Sequence, residues 1–151
     1  MEQATTEAKN LRAFLIMIQY AEGTFGKDAY RKVFGGGTIR DLSRHPNLPI
    51  TKGSLTSTAA GAYQILGKTW AEISGKLRLP DFGPESQDKA AVELIRRRKA
   101  LSDVLAGRFG SAIAKCRKEW ASLPGAGYNQ RERSKQSLLA VYKIAGGSAT
   151  A

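Results

Sequence analysis

The sequence predicts an α+β fold, mostly helical, with a small antiparallel sheet inserted after the first helix. Three observations lead there. A segment apolar on nearly every side ends at Glu22-Gly23-Thr24. A stretch rich in glycine and proline, Phe25 to Ser57, then carries short β-prone pieces. Beyond it, apolar residues return at helical spacing as far as Ala145. With 151 residues, 42% of them hydrophobic, the chain is long enough for one domain with a real core. A single domain over 1–151 is expected, with 148–151 as a frayed tail.

The first helix is expected from about Thr6 to Ala21. Leu11, Phe14, Leu15 and Ile18 share one face, while Ile16, Met17 and Tyr20 cover much of the rest. Such a helix is usually buried, and Gly23 stands where a glycine commonly ends one. In the next stretch, Val33-Phe34 and Thr38-Ile39 read as strands around the Gly35-Gly36-Gly37 turn, followed by an irregular loop. Thr69 to Leu77 reads as a short helix broken by Pro80. Pro84 opens the next helix, which runs to about Lys99 with Ala91, Leu94 and Ile95 inward. Ser102 is expected to cap a short segment. Ser111 to Ala121 carries Ile113, Cys116 and Trp120 at helical spacing, and a last helix spans about Arg131 to Ala145.

The charge balance is strongly basic: 24 Lys and Arg against 13 Asp and Glu, a net charge of +11. Such a field attracts polyanions, whether nucleic acid, anionic membrane or bacterial wall. The single cysteine, Cys116, cannot make an internal disulfide, which suits a reducing cytoplasm. Residues 1–10 are polar, so no signal peptide is expected, and the apolar run Ala13 to Ile18 falls short of the roughly 20 residues a membrane span needs.

Glu22 is the first candidate for chemistry. A carboxyl at a helix C-terminus faces the negative end of the dipole, and apolar neighbours such as Tyr20 and Phe25 push the same way, toward the protonated form. A general acid needs that proton. By itself, however, Glu-Gly-Thr is a weak motif and more readily describes an ordinary solvated glutamate at a helix end. Ser57 to Ile65 places small residues before Tyr63 and Gln64, a ring and an amide suited to sugar recognition or, equally, a turn with Tyr63 in the core. Leu123 to Gln130 presents Tyr128 and two amides in a loop.

Taken in order, these features resemble the phage lambda lysozyme family of endolysins. The shared elements are Glu22-Gly23-Thr24, Gly35-Gly36, Asp41 with Ser43, His45-Pro46, Ser57-Thr58, Gly61, Tyr63-Gln64, Ser86-Gln87-Asp88 and the block Trp120 to Tyr128. The resemblance spans about Leu11 to Gly147. It implies a lysozyme-like fold and cleavage of the MurNAc–GlcNAc bond of peptidoglycan. Members of this family resemble lytic transglycosylases, which leave a 1,6-anhydro ring. The resemblance therefore implies Glu22 as acid and then base, whereas a usual glycosidase employs two carboxylates. Tyr30, Asp41, His45, Ser57, Thr58, Tyr63, Gln64 and Tyr128 are the implied substrate contacts. Glycan strands are the expected partner of a monomeric enzyme. It would wait in the host cytoplasm, depend on a holin for release across the inner membrane, and act on the wall in the periplasm. Two departures stand out: the loop between Thr24 and Tyr30 is shorter, and Asn129 replaces a glycine.

Other readings are weaker. Arg96-Arg97-Arg98-Lys99 could meet phosphates, but a charge run at a helix end also complements the dipole, and no helix-turn-helix or zinc pattern accompanies it, so no nucleic-acid partner is expected. No Cys, His or Asp cluster has metal-ligand spacing, so neither a metal nor another cofactor is expected. His45 reads equally as a substrate contact or as a structural residue before Pro46. Cys116, between Ile113 and Trp120, reads as core. A hydrolytic muramidase, a basic nucleic-acid-binding module and an inactive wall-binding module remain the alternatives.

Overall fold

The computed structural model describes residues 5–125 and 133–150. The chain forms two compact units, one from 1–23 with 94–151, the other from 24–93. Helices dominate, and the one sheet among the described residues is a two-stranded antiparallel hairpin, so the α+β expectation holds.

In the first unit, α1 (Thr6–Glu22) packs against α4 (Leu101–Ala106) and α6 (Lys135–Ile144), and α4 packs on α5 (Phe109–Cys116). The start of α1 follows from Thr5, whose hydroxyl accepts the Ala8 N–H at 3.0 Å. Its end follows from Gly23 at φ +75°, whose N–H closes back on the carbonyls of Gln19 and Tyr20. Phe14 meets Phe109 edge-on at 6.2 Å, and Phe109 continues to Tyr142 at 4.9 Å. Cys116 is fully buried, and burial pushes its thiol up to about 12, which leaves it inert as expected.

Several boundaries differ from expectation. Ser102 is not a cap: α4 begins at Leu101 and holds Ser102 inside its first turn. The helix expected from Ser111 to Ala121 is Phe109–Cys116, and the last helix starts at Lys135, where the Ser134 hydroxyl accepts the Ser137 N–H at 3.1 Å. The tail does not fray through Thr150. Buried Asn10 accepts the Ser148 N–H at 2.9 Å, and the Thr150 N–H reaches the Gly107 carbonyl at 2.8 Å. A buried amide left without these partners would cost about 1–3 kcal/mol, which gives the tail a reason to stay down.

The second unit contains a 3₁₀ turn at Ala29–Arg31, strands β1 (Ile50–Lys52) and β2 (Leu55–Ser57), and α2 (Gly67–Leu77); α3 (Pro84–Arg97) contributes residues to both units. The strands expected at Val33-Phe34 and Thr38-Ile39 shrink to isolated bridges, Lys32 to Thr38 and Val33 to Ala60. Gly35 and Gly36, at φ +88° and +99°, bend the chain at once, leaving no length for a ladder. The true hairpin lies in the segment expected to be irregular. Gly53-Ser54 turns it, and Ile50 pairs with Ser57, Thr51 with Thr56, and Lys52 with Leu55. Polar residues on both strands hid it, because the hairpin is largely exposed and shows no apolar alternation.

A buried amide organises this unit. Gln87 accepts the Ala62 N–H at 2.9 Å and donates to the Tyr30 and Phe82 carbonyls at 2.9 and 2.7 Å. Gly61, at φ +83°, makes room for it: a Cβ there would lie within 3.0 Å of both Gln87 and Phe82. Phe82 in turn meets Trp70 edge-on at 4.7 Å and His45 at 4.9 Å. Among the described residues no helix is long and apolar enough to cross a membrane.

Candidate active site

Glu22 is the last residue of α1 and half-buried. Its carboxyl is pushed up to about 7, above all by burial; a hydrogen bond from Ser122 and the charge of Arg133 oppose that rise. The direction matches the sequence reading, but the cause is sharper. Removal from water comes first, and Phe25, proposed as an apolar neighbour, is 62% exposed.

Two side chains that sequence reasoning missed hold this helix end. Ser122, 5% exposed, donates its hydroxyl to Glu22 Oε2. The Ser122 carbonyl accepts the Arg133 N–H at 2.8 Å. The Arg133 guanidinium then lies over the Tyr20 ring, 5.5 Å from its centroid, with Nε 3.5 Å from the Ala21 carbonyl. Residues 20–22 are thus clasped from ring, backbone and carboxylate. Ser122 had a faint sequence signal, since it falls in the block Trp120 to Tyr128. Arg133 had none, being one cation among many near the last helix.

The arrangement gives Glu22 a proton at neutral pH and a fixed direction. A carboxyl raised to about 7 keeps its proton toward neutral pH, so the group can donate to a leaving oxygen and later accept a proton, both without a large energetic penalty. The burial that raises the carboxyl and the donors that lower it act in opposition, which sets a value between those of a buried acid and a paired one.

The remaining sequence candidates fall in the second unit, except Tyr128, which lies outside the described residues. Tyr30 and Tyr63 come together: both hydroxyls donate to Asp88 Oδ1, at 2.9 and 2.6 Å, and their rings meet edge-on at 6.3 Å. Tyr63 is only 1% exposed, so its ring is core rather than a platform for a sugar. Gln64, at φ +49°, is half-buried and donates from Nε2 to the Gly61 carbonyl at 2.9 Å.

His45 is likewise engaged by the protein. The Asn47 N–H can only donate, so Nδ1 is the acceptor at 2.8 Å and Nε2 carries the hydrogen that meets the Ile65 carbonyl at 2.8 Å. Both nitrogens are committed to the protein, and burial lowers the ring's pKa, so His45 is a neutral structural residue. Asp41 is exposed, and its Oδ1 accepts the Ser43 N–H at 2.8 Å in a local turn that keeps it ionised. Ser57 Oγ and Thr58 Oγ1 accept from the backbone of Ala59 and Gly67, each at 3.0 Å. Among the described residues no cluster of His, Cys, Asp and Glu is placed to hold a metal ion.

A carboxyl raised by desolvation at a helix end, on a mostly helical α+β scaffold, is the equipment of a lysozyme-type enzyme. The comparisons with known proteins agree. A family model described as Endolysin matches residues 12–149. The chain is 41% identical to the endolysin of Escherichia phage P2, covering 92% of this chain and 94% of that one. It is also 41% identical to the endolysin of Escherichia phage lambda, covering 91% of each. Among solved structures it matches bacteriophage lambda lysozyme complexed with a chitohexasaccharide, at TM-score 0.90 and 38% identity over 99% of this chain and 100% of that one. A second lysozyme structure from bacteriophage lambda matches at TM-score 0.86 and 37% identity, with the same coverage. The chain belongs to the endolysin family, the phage enzymes of lysozyme type that break down bacterial cell walls.

Proposed function

We propose that this endolysin cleaves the MurNAc–GlcNAc β-1,4 bond of peptidoglycan as a lytic transglycosylase, in a single lysozyme-like catalytic domain, with Glu22 acting alone. The observation that carries this reading is the Glu22 carboxyl, raised to about 7 by burial and aimed by Ser122. Protonated Glu22 gives its proton to the glycosidic oxygen as the C1–O bond breaks. The oxocarbenium-like centre left at C1 is attacked by the sugar's own C6 oxygen, and the C6 hydroxyl proton returns to the Glu22 carboxylate. The balance closes without water, which leaves a 1,6-anhydro ring and Glu22 protonated again.

The acids of Glu22's own unit support a one-carboxylate scheme. Retaining and inverting glycosidases need a second carboxyl about 5–5.5 or 6.5–9.5 Å away. In the unit that holds Glu22, the other described acids are Glu7, Asp103 and Glu119. Glu7 stands in the first turn of α1, about 22 Å along the helix at ~1.5 Å per residue. Asp103 is bound by Arg108 and Lys115 at 2.7 and 2.6 Å, and Glu119 by Arg98 at 2.7 Å. In the other unit Asp81 accepts from Gly83 and Ser86, and Asp88 from Tyr30 and Tyr63, which suits structural duty.

The chitohexasaccharide held by the lambda enzyme favours a glycan strand as ligand, and Tyr30, Gln64, Ser57, Thr58 and Asp41 remain the proposed contacts of this chain. His45 and Tyr63 support them from the core. We assign release to a holin and action to a monomer in the periplasm, by the same resemblance. Mass spectrometry of muropeptides from purified sacculi tests the mechanism. Products lighter by one water than hydrolysis products are expected. Fully hydrated reducing ends would make the enzyme a hydrolytic muramidase instead.

A further inference from the structure

In the first unit the C-terminal ends of α3 and α5 enclose an open pocket of about 370 Å³. Its lining is Arg97, Arg98, Lys99, Lys115, Arg117 and Lys118, with Ala114 as the one uncharged member. The volume lies in the range of about 300–1,000 Å³ usual for small-molecule sites. Gathering so many like charges in one concavity opposes folding, so the arrangement needs a reason.

Ordinary structural duties account for only part of it. Each helix C-terminus presents about half a negative charge, so the two together balance about one cation. Glu119 takes Arg98 at 2.7 Å, and Asp103 takes Lys115 at 2.6 Å. These pairs neutralise two of the pocket's cations and fix their side chains. Lys99 and Arg117 stand differently. Both are exposed, and neither makes an ion pair among the described residues. Lys99 also ends its helix in a left-handed conformation, φ +59°, where glycine or asparagine is the undemanding choice. The turn is closed by the Ala100 N–H on the Ile95 carbonyl at 3.1 Å and by Lys115 Nζ, 3.3 Å from the Lys99 carbonyl, so the Lys99 backbone is fixed in place.

We propose that this pocket binds closely spaced phosphoryl groups. Arg117 supplies a planar fork that matches two phosphoryl oxygens and Lys99 supplies a compact charge, while the ion-paired Arg98 and Lys115 frame the site from fixed positions. Carboxylate polymers carry one charge per group and would fill the site less well than phosphomonoesters, which carry nearly two. The same chemistry occurs on phosphorylated glycolipid head groups of the cell envelope and on free oligophosphates. The site uses none of the residues that clasp Glu22, and its failure would leave the wall-cleaving reading untouched.

Calorimetric titration of the full chain with sodium tripolyphosphate, at ionic strength held constant with NaCl, tests the proposal. Saturable one-site binding is expected, and citrate at equal ionic strength should bind roughly tenfold more weakly or not at all. The double variant K99Q/R117Q should lose about tenfold or more in tripolyphosphate affinity while keeping its helical circular dichroism. A control, K27Q/K68Q, removes two equally exposed lysines elsewhere and should bind as the parent does. An equal loss in both double variants, or equal binding of citrate, would show that the overall field acts alone and overturn the site. Vesicles of a bisphosphorylated glycolipid, compared with phosphatidylglycerol vesicles of matched charge, then separate the sources. Binding that falls with K99Q/R117Q on the glycolipid only assigns the head group, and unchanged vesicle binding assigns the free oligophosphate.

Discussion

Replacing Glu22 by Gln should abolish wall cleavage and, at neutral pH, make the protein more stable. The magnitude follows from the raised carboxyl. An unfolded glutamate titrates near 4.5, and folding moves Glu22 to about 7. Between those values the folded state holds a proton that the unfolded chain has released. Unfolding therefore becomes easier as pH rises through this window. The full difference of 2.5 pH units, at 1.36 kcal/mol each, gives about 3 kcal/mol as an upper figure. Glutamine does not ionise, and its Oε1 can still accept from Ser122. The variant should thus lack this loss entirely. Urea unfolding of both proteins from pH 4 to pH 8.5 reads the effect as a difference of differences, which removes any fixed cost of the amide. The stability gap should move in favour of Glu22→Gln by about 2–3 kcal/mol between pH 4 and pH 8. A gap that stays flat across this range would mean that Glu22 titrates like a solvated glutamate, and the acid role would lose its physical basis. A folded Glu22→Gln protein that still solubilises walls would remove it outright.

Three further outcomes follow from the same geometry. Ser122→Ala removes a donor that favours the ionised carboxyl. A hydrogen bond to a charged group contributes about 1.5–3 kcal/mol, so the alkaline limb of kcat/KM should move up by about one pH unit or more, with the plateau lowered by poorer aim. An unmoved limb in the pH–rate profile would exclude Ser122 as the residue that positions Glu22. Gly61→Ala combines a left-handed backbone with a Cβ inside 3.0 Å of Gln87 and Phe82, and should cost about 2–4 kcal/mol in urea unfolding, which a loss below 1 kcal/mol would contradict. The net charge of +11 should make lysis of isolated, anionic walls weaken as NaCl rises through the range where the Debye length falls from about 10 to 3 Å; turbidity loss that ignored salt would show the basic surface to be idle.

Much of the scaffold was legible in the sequence because its signals are local. The all-round apolar run and Gly23 mark α1 and its end, and they place Glu22 at its C-terminus. Pro84 opens α3, and the ordered motifs define the family. The hairpin was misplaced because its strands are exposed and polar, so alternation was absent where the turn residues Gly53-Ser54 alone carried the signal. The tail was misjudged for a different reason. Its anchors, Asn10 and Gly107, lie 138 and 43 residues away along the chain, and no local pattern can announce them.

The candidate site divides in the same way. The sequence by itself determined that a carboxyl would stand at the end of a buried helix in an endolysin of lysozyme type. Only the tertiary structure decided what that carboxyl is. Ser122 reaches it from 100 residues away, and Arg133 ties the same turn through Ser122 and Ala21. It likewise decided that Tyr63 and His45 face inward, since a tyrosine or histidine in a motif presents the same letters whether its polar atoms meet a ligand or the protein's own Asp88, Asn47 and Ile65. Local propensities depend on neighbours in the chain. A proton's affinity depends on water excluded and charges approached in space, and those are settled only when distant segments close around the group.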